Sequence, residues 1–140
     1  MWCACGIATL VGGNATIHTR IGGEREDIDI HVEKGRVRES DLWVHFALPP
    51  RDAWDCVHHF CATVLPFRSP DDVQAWSDRH GIPMGAVAPT AQVMDLGREW
   101  YASHAYPDWR KWNVREAAEI FRKVGLVGDF WEIPITEGGF

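Results

Sequence analysis

The hydrophobic period of this chain changes near its midpoint, and this change limits the folds that are open to it. In the first half, residues 27–33 (DIDIHVE) alternate apolar and polar side chains, which is typical of a strand with one buried face. After residue 68, apolar residues recur at spacings of three and four, which is typical of amphipathic helices. Strands followed by helices predict an α+β fold, in which helices flank an antiparallel sheet of about four strands.

Short turns containing glycine and proline separate the apolar runs of the first half, so consecutive strands are expected to pair antiparallel. The N-terminal run, residues 2–11 (WCACGIATLV), fits either a helix of two to three turns or a buried strand. We predict the strands at residues 15–21, 27–33, 41–50 and 56–67.

Three helices are predicted in the second half. Ser69 is a favourable N-cap and Gly81 a favourable C-terminal residue, so the first helix lies between them. Apolar spacing predicts the second over residues 91–105. Asn113 begins a capping-box variant, and Gly125 ends the third helix.

The chain length of 140 residues predicts one domain with a real hydrophobic core. Within this single domain, residues 1–140, the last apolar run at residues 129–135 (DFWEIPI) is predicted to add an edge strand. Residues 105–140 are therefore expected to form a C-terminal helix and strand extension. An unpaired edge strand would permit a homodimer.

Charge and hydropathy exclude several classes of partner. The net charge is −6 and no block of lysine or arginine is present, so nucleic acid is not an expected partner. No apolar run reaches the roughly 18 residues of a membrane helix, so no membrane partner is expected. The N-terminal run has no basic region before it, which argues against a signal peptide and favours a cytoplasmic protein with reduced thiols.

All four cysteines fall in two short segments. Cys3 and Cys5 form a CxC pair, whose side chains share one side in extended backbone but stand about 200° apart on a helix. Cys56 and Cys61 belong to DCVHHFC, residues 55–61. Free cysteines are among the most buried residues, so simple core packing is an alternative for each of them.

The two segments together predict a site for a small molecule or a soft metal ion. If residues 55–61 are extended, Cys56 and His58 share one face and can bind one ion. Thiolate and imidazole ligands suit Hg, Cu(I) or Zn. No CxxC…CxxC framework is present, so a dedicated structural zinc is not indicated. The candidate metal ligands are Cys3, Cys5, Cys56, His58 and His59.

The WCA motif at residues 2–4, the later cysteine-containing segment and the helix that follows it resemble the alkylmercury lyases (organomercurial lyases). The resemblance spans about residues 1–104 and implies that family's core fold. Members of the family carry an N-terminal helical domain before WCA, whereas this sequence starts one residue ahead of Trp2. A core without that domain, followed by a new C-terminal extension, is therefore expected.

The resemblance implies cleavage of a carbon–mercury bond by protonolysis, with two cysteines and one aspartate and no required cofactor. Cleavage of another carbon–heteroatom bond by a close relative of these enzymes is an alternative. Cys3 matches the cysteine of the family's WCA motif. The family's aspartate position is Gly6 here, and an ungapped match puts Asp55 at the family's second cysteine, with Cys56 beside it. We therefore predict that Cys3 and Cys56 hold mercury and that Asp55 donates the proton.

Two other functions remain open at this point. The first is a non-catalytic protein that binds a soft metal through the CxC and DCVHH segments. The second is a structural or partner-binding domain whose thiols are core residues and react only after denaturation.

Overall fold

The computed structural model describes residues 1–39 and 41–134. Within them the chain forms five α-helices and two antiparallel sheets of three strands each, which confirms the α+β class. In chain order the elements are α1 (Trp2–Leu10), β1 (Ala15–Arg20), β2 (Asp27–Glu33), β3 (Arg36–Val37), β4 (Trp43–Phe46), α2 (Val57–Ala62), β5 (Val64–Phe67), α3 (Pro70–His80), β6 (Ala86–Pro89), α4 (Thr90–Tyr101) and α5 (Val114–Lys123).

Each sheet has three strands, slightly fewer than the single sheet of about four that the sequence predicts. The first sheet has the order β1-β2-β3, and the second has the order β5-β4-β6. In the second sheet Val44 of β4 faces Pro66 of β5 on one side and Ala88 of β6 on the other. β4 is therefore a central strand, and Val44, His45 and Phe46 are all fully buried.

The prediction of a fourth strand over residues 56–67 is correct only for its C-terminal part. Only Val64–Phe67 is a strand, whereas Val57–Ala62 is the short helix α2. His58 and His59 are adjacent and both exposed, while Phe60 is buried. A half-buried strand sends neighbouring side chains to opposite faces, so it cannot place two adjacent histidines in solvent together. Two adjacent residues on the outer side of a helix can both be exposed to solvent.

Helix α1 resolves the alternatives for the N-terminal run in favour of a helix, and it packs closely on α4. A Cβ atom added at Gly97 of α4 would lie 2.9 Å from the backbone nitrogen of Gly6 of α1. Such a contact is too short for a real side chain, so glycine at position 97 allows the two helix backbones to approach. This packing sets the position of α1 on α4.

The predicted caps of the later helices are confirmed. The Ser69 side chain accepts a hydrogen bond from the backbone N–H of Asp72 at 3.1 Å, and Gly81 ends α3 with φ of 63°. Asn113 and Glu116 form the full capping box of α5. No helix in the described ranges is long and apolar enough to cross a bilayer.

The predicted C-terminal edge strand is not observed where the structure describes it. Asp129–Trp131 form a single 3₁₀ turn, and residues 132–134 are irregular. Trp131 is buried against Phe46 and Phe121, so this segment packs by its ring rather than by strand pairing. Residue 135 of the predicted strand lies outside the described residues.

The capping box of α5 makes stability depend on acid pH. Hydrogen bonds from Arg110 and from the backbone N–H of Asn113 lower the pKa of Glu116 to about 2. The pKa of Glu116 is lower in the folded state than in the unfolded state. Its contribution to the free energy of unfolding is therefore complete above roughly pH 4.3, the ordinary pKa of a glutamate, and is lost as the pH falls towards 2. We expect Glu116→Gln to be less stable than wild type at pH 7, with the difference shrinking below pH 4. Urea unfolding at each pH measures it, and a difference independent of pH would contradict it.

Candidate active site

The sulfur atoms of Cys3 and Cys61 are in contact. Cys3 lies in the first turn of α1 and Cys61 in the last turn of α2, and their Sγ atoms are 2.9 Å apart. Both cysteines are partly buried, and neither forms a disulfide. Two separate segments of the sequence thus bring two free thiols to one point, which suits capture of a thiophilic ion or of a compound that carries one.

The environment of this pair keeps Cys61 protonated at neutral pH. Burial raises the pKa of Cys61 to about 12, and its hydrogen bond and charge interaction with Cys3 act in the same direction. The Cys61 thiol can therefore donate a hydrogen bond to the sulfur of Cys3. A proton on one sulfur beside a second sulfur is the arrangement that a stepwise thiol reaction needs.

Tyr101, at the end of α4, completes the surroundings of Cys3. Burial raises the pKa of Tyr101, and its hydrogen bond with Cys3 raises it further. The Tyr101 ring also lies directly over Gly6. A Cβ atom added at Gly6 would be 2.1 Å from Cδ2 of that ring. The ring thus occupies the space that any side chain at position 6 would need.

A cavity of about 550 Å³ opens beside the thiol pair. Cys3 and Cys61 contribute to its wall, and so does Tyr101. Most of the remaining wall is aromatic and apolar, which favours an organic group over water. Its other aromatic lining residues are Trp2, Trp54, Phe60, Trp100, Trp109 and Phe121.

The aromatic wall also holds the helices of the site together. The Trp2 ring of α1 contacts Phe60 of α2 at a centroid distance of 5.3 Å and Trp100 of α4 at 4.7 Å, both edge to face. Edge-to-face ring pairs contribute roughly 0.5–1.5 kcal/mol beyond their buried area. The helices that carry Cys3, Cys61 and Tyr101 are thus linked through one tryptophan.

The other catalytic residues predicted from the sequence line the same cavity but do not contact Cys3 as Cys61 does. Asp55 and Cys56 are both exposed, and Cys56 is the N-cap residue of α2. The sequence predicts Cys56 as the partner of Cys3, whereas the sulfur in contact is that of Cys61. The roles of Asp55 and Cys56 in catalysis stay predictions.

Three of the predicted metal ligands, Cys3, Cys56 and His58, line the same cavity, but the five do not form one ligand cluster. Because α1 is helical, Cys3 and Cys5 leave it on different sides; Cys5 is fully buried, and burial raises its pKa to about 11. His58 lines the cavity, whereas His59 is exposed outside it. In the described part of the chain, no group of three or more His, Cys, Asp or Glu side chains could hold a metal ion.

Sequence reasoning missed Cys61 and Tyr101 as site residues. The signal for Cys61 was its place in the same DCVHHFC segment as Cys56. Tyr101 carries no signal of its own, because its role depends on the packing of α4 over Gly6.

The family model described as MerB, alkylmercury lyase, matches residues 1–102. A search of curated proteins gives no significant match.

Proposed function

Because the chain belongs to the alkylmercury lyase family, we propose that it cleaves the carbon–mercury bond of organomercurials by protonolysis, with Cys3 and Cys61 binding the mercury. The observation that supports this pairing is the 2.9 Å contact of the two sulfur atoms at the wall of an aromatic cavity. The mercury ion here is the substrate's own, and no resident cofactor is part of the proposal.

The first step is capture of the organomercurial R–Hg–X. The thiolate form of Cys3 forms a sulfur–mercury bond, and the X group leaves with the electron pair of its bond to mercury. The organic group R then lies against the aromatic wall, where apolar contact stabilises it and water is excluded. Cys61 remains as a thiol beside the same mercury.

The second step breaks the carbon–mercury bond. The sulfur of Cys61 forms a second bond to mercury as its proton leaves, and carbon takes both the electron pair of the breaking bond and a proton. The products are R–H and Hg(II) held by two sulfurs. Since metal–thiolate bonds are roughly 2.3 Å long, as in zinc sites, the two sulfurs must separate from 2.9 Å to admit the ion between them.

Asp55 and Cys56 define a second form of this proposal, in which Cys56 is the other mercury ligand and Asp55 the proton donor. Both residues line the cavity from exposed positions. The first form is favoured because a partly buried, protonated thiol already touches Cys3.

Treatment of the reduced protein with one equivalent of phenylmercury tests the function. We expect native mass spectrometry to show a gain of mercury without the phenyl group, and gas chromatography to show an equal amount of benzene. A reductant is needed throughout, because thiols this close can form a disulfide instead.

The other outcomes of this experiment point to other functions. A stable adduct that keeps its phenyl group would contradict cleavage and support a non-catalytic soft-metal binder. Absence of any adduct before denaturation would support buried structural thiols. Prior blocking of the thiols with iodoacetamide is the control, and it should abolish both signals.

A further inference from the structure

Protonolysis at the Cys3–Cys61 pair requires a proton donor next to the sulfur atoms besides Cys61, whose own sulfur must bond to mercury in that step. Carbon leaves mercury with the bonding electron pair and must receive a proton at the same place. Gly6, on the turn of α1 that follows Cys3, has no side chain to supply it. Asp55 lines the same cavity, but from an exposed position.

One hydroxyl group meets the requirement. The Tyr101 side chain reaches from the last turn of α4 across the backbone of Gly6 and lines the cavity together with Cys3 and Cys61. Because a Cβ atom at Gly6 would lie within 2.6 Å of three Tyr101 ring atoms, the ring can take this position only above a glycine. Glycine at position 6 is thus what allows the Tyr101 phenol to lie at this place.

A second contact holds the Tyr101 ring in place. The His104 imidazole packs against it at a centroid distance of 4.5 Å, and the Trp109 ring packs on His104 at 4.3 Å. Burial lowers the pKa of His104, so the imidazole stays neutral beside the phenol. The ring therefore has a fixed place over Gly6, one turn along α1 from Cys3, and a proton donor requires such a fixed position.

We propose that the Tyr101 hydroxyl delivers the proton that cleaves the carbon–mercury bond, in place of a carboxyl group. This inference rests on the proposed function. As the Cys61 sulfur bonds to mercury, the Tyr101 O–H proton moves to carbon and the Cys61 thiol proton moves to the Tyr101 oxygen. The carbon–mercury bond breaks, a carbon–hydrogen bond and a sulfur–mercury bond form, and Tyr101 ends as a neutral phenol.

Tyr101→Phe tests this step with little change in packing, because phenylalanine keeps the ring over Gly6 and loses only the hydroxyl. Tyr106→Phe is the matched control, since Tyr106 is the other of the two tyrosines and is 63% exposed. With phenylmercury in a single turnover, we expect Tyr101→Phe to bind mercury one to one but to release benzene roughly 10²–10³-fold more slowly. Tyr106→Phe should match wild type.

The outcomes separate this inference from the proposed function. Cleavage by Tyr101→Phe within threefold of wild type overturns the role of the hydroxyl and leaves the function standing. Retention of the phenyl group by wild type rejects the function, and this inference with it. A phenyl adduct that persists in Tyr101→Phe alone supports both.

A second measurement covers the case in which Tyr101→Phe does not fold. Biosynthetic 3-fluorotyrosine in the Tyr106→Phe protein labels position 101 alone, because the chain has two tyrosines. Fluorine makes the phenol more acidic without removing it, so a transferring hydroxyl should change the single-turnover rate at least twofold. An unchanged rate would overturn the inference.

Discussion

Cys61→Ser is expected to abolish release of benzene from phenylmercury, with a loss on the order of 10³-fold or more, whereas Cys56→Ser should keep the rate within threefold of wild type. The reason is geometric. The Cys61 sulfur is 2.9 Å from that of Cys3, but Cys56 is an exposed N-cap residue of α2. A serine hydroxyl is a poor mercury ligand, so Cys61→Ser should stop at the phenylmercury adduct of Cys3.

Two measurements on the same samples check this expectation. Gas chromatography gives the benzene released in a single turnover, and native mass spectrometry shows whether the phenyl group remains on the protein. Cys3→Ser is the reference for complete loss of capture. Equal loss of activity in Cys56→Ser and in Asp55→Asn, with Cys61→Ser active, would instead support the pairing of Cys3 with Cys56 that the sequence predicts.

The parts of the fold that the sequence predicts well are those set by local chemistry. The Ser69 cap, the Gly81 terminus and the Asn113 capping box depend on hydrogen bonds within one turn, so they can be recognised without tertiary contacts. Strands β1 and β2 likewise follow from alternation. Strand β6 carries no such signal, because its four residues AVAP are short and uniformly apolar.

The errors at the site have one physical origin. In residues 56–67, β-branched and aromatic residues favour a strand, but the chain forms α2 first and β5 afterwards. The strand prediction put Cys56 and His58 on one face and Cys61 on the other. The helix instead ends beside α1 with Cys61 against Cys3. Tertiary packing thus decided which thiol of the segment meets Cys3, and local sequence could not.

The same limit applies to position 6. The sequence alone indicates only that glycine at position 6 replaces the aspartate that the family resemblance implies there. In the structure, Gly6 is the surface on which Tyr101 rests. The contact joins residues 95 positions apart on two helices, so nothing near either residue in the sequence predicts it. It is, however, open to a direct stability measurement.

Gly6→Ala is expected to lower the free energy of unfolding by about 3 kcal/mol, and the melting temperature by about 10 °C. The added Cβ atom would lie 2.1 Å from the Tyr101 ring. The ring cannot simply withdraw, because His104 packs against it and α1 and α4 are already in backbone contact at Gly97. The displaced hydroxyl should also slow benzene release in whatever protein remains folded at the assay temperature.

A double-mutant cycle tests whether the destabilisation by Gly6→Ala is caused by the Tyr101 ring. In a Tyr101→Ala background the space over Gly6 is empty, so Gly6→Ala should lose its penalty and gain up to about 1 kcal/mol, the helix preference of alanine over glycine. In a Tyr101→Phe background the ring remains, so the penalty should stay near 3 kcal/mol. Urea unfolding of the six proteins measures both coupling energies. If Gly6→Ala cost the same in all three backgrounds, Tyr101 would not lie over Gly6, and a phenol beside Cys3 would lose its structural basis.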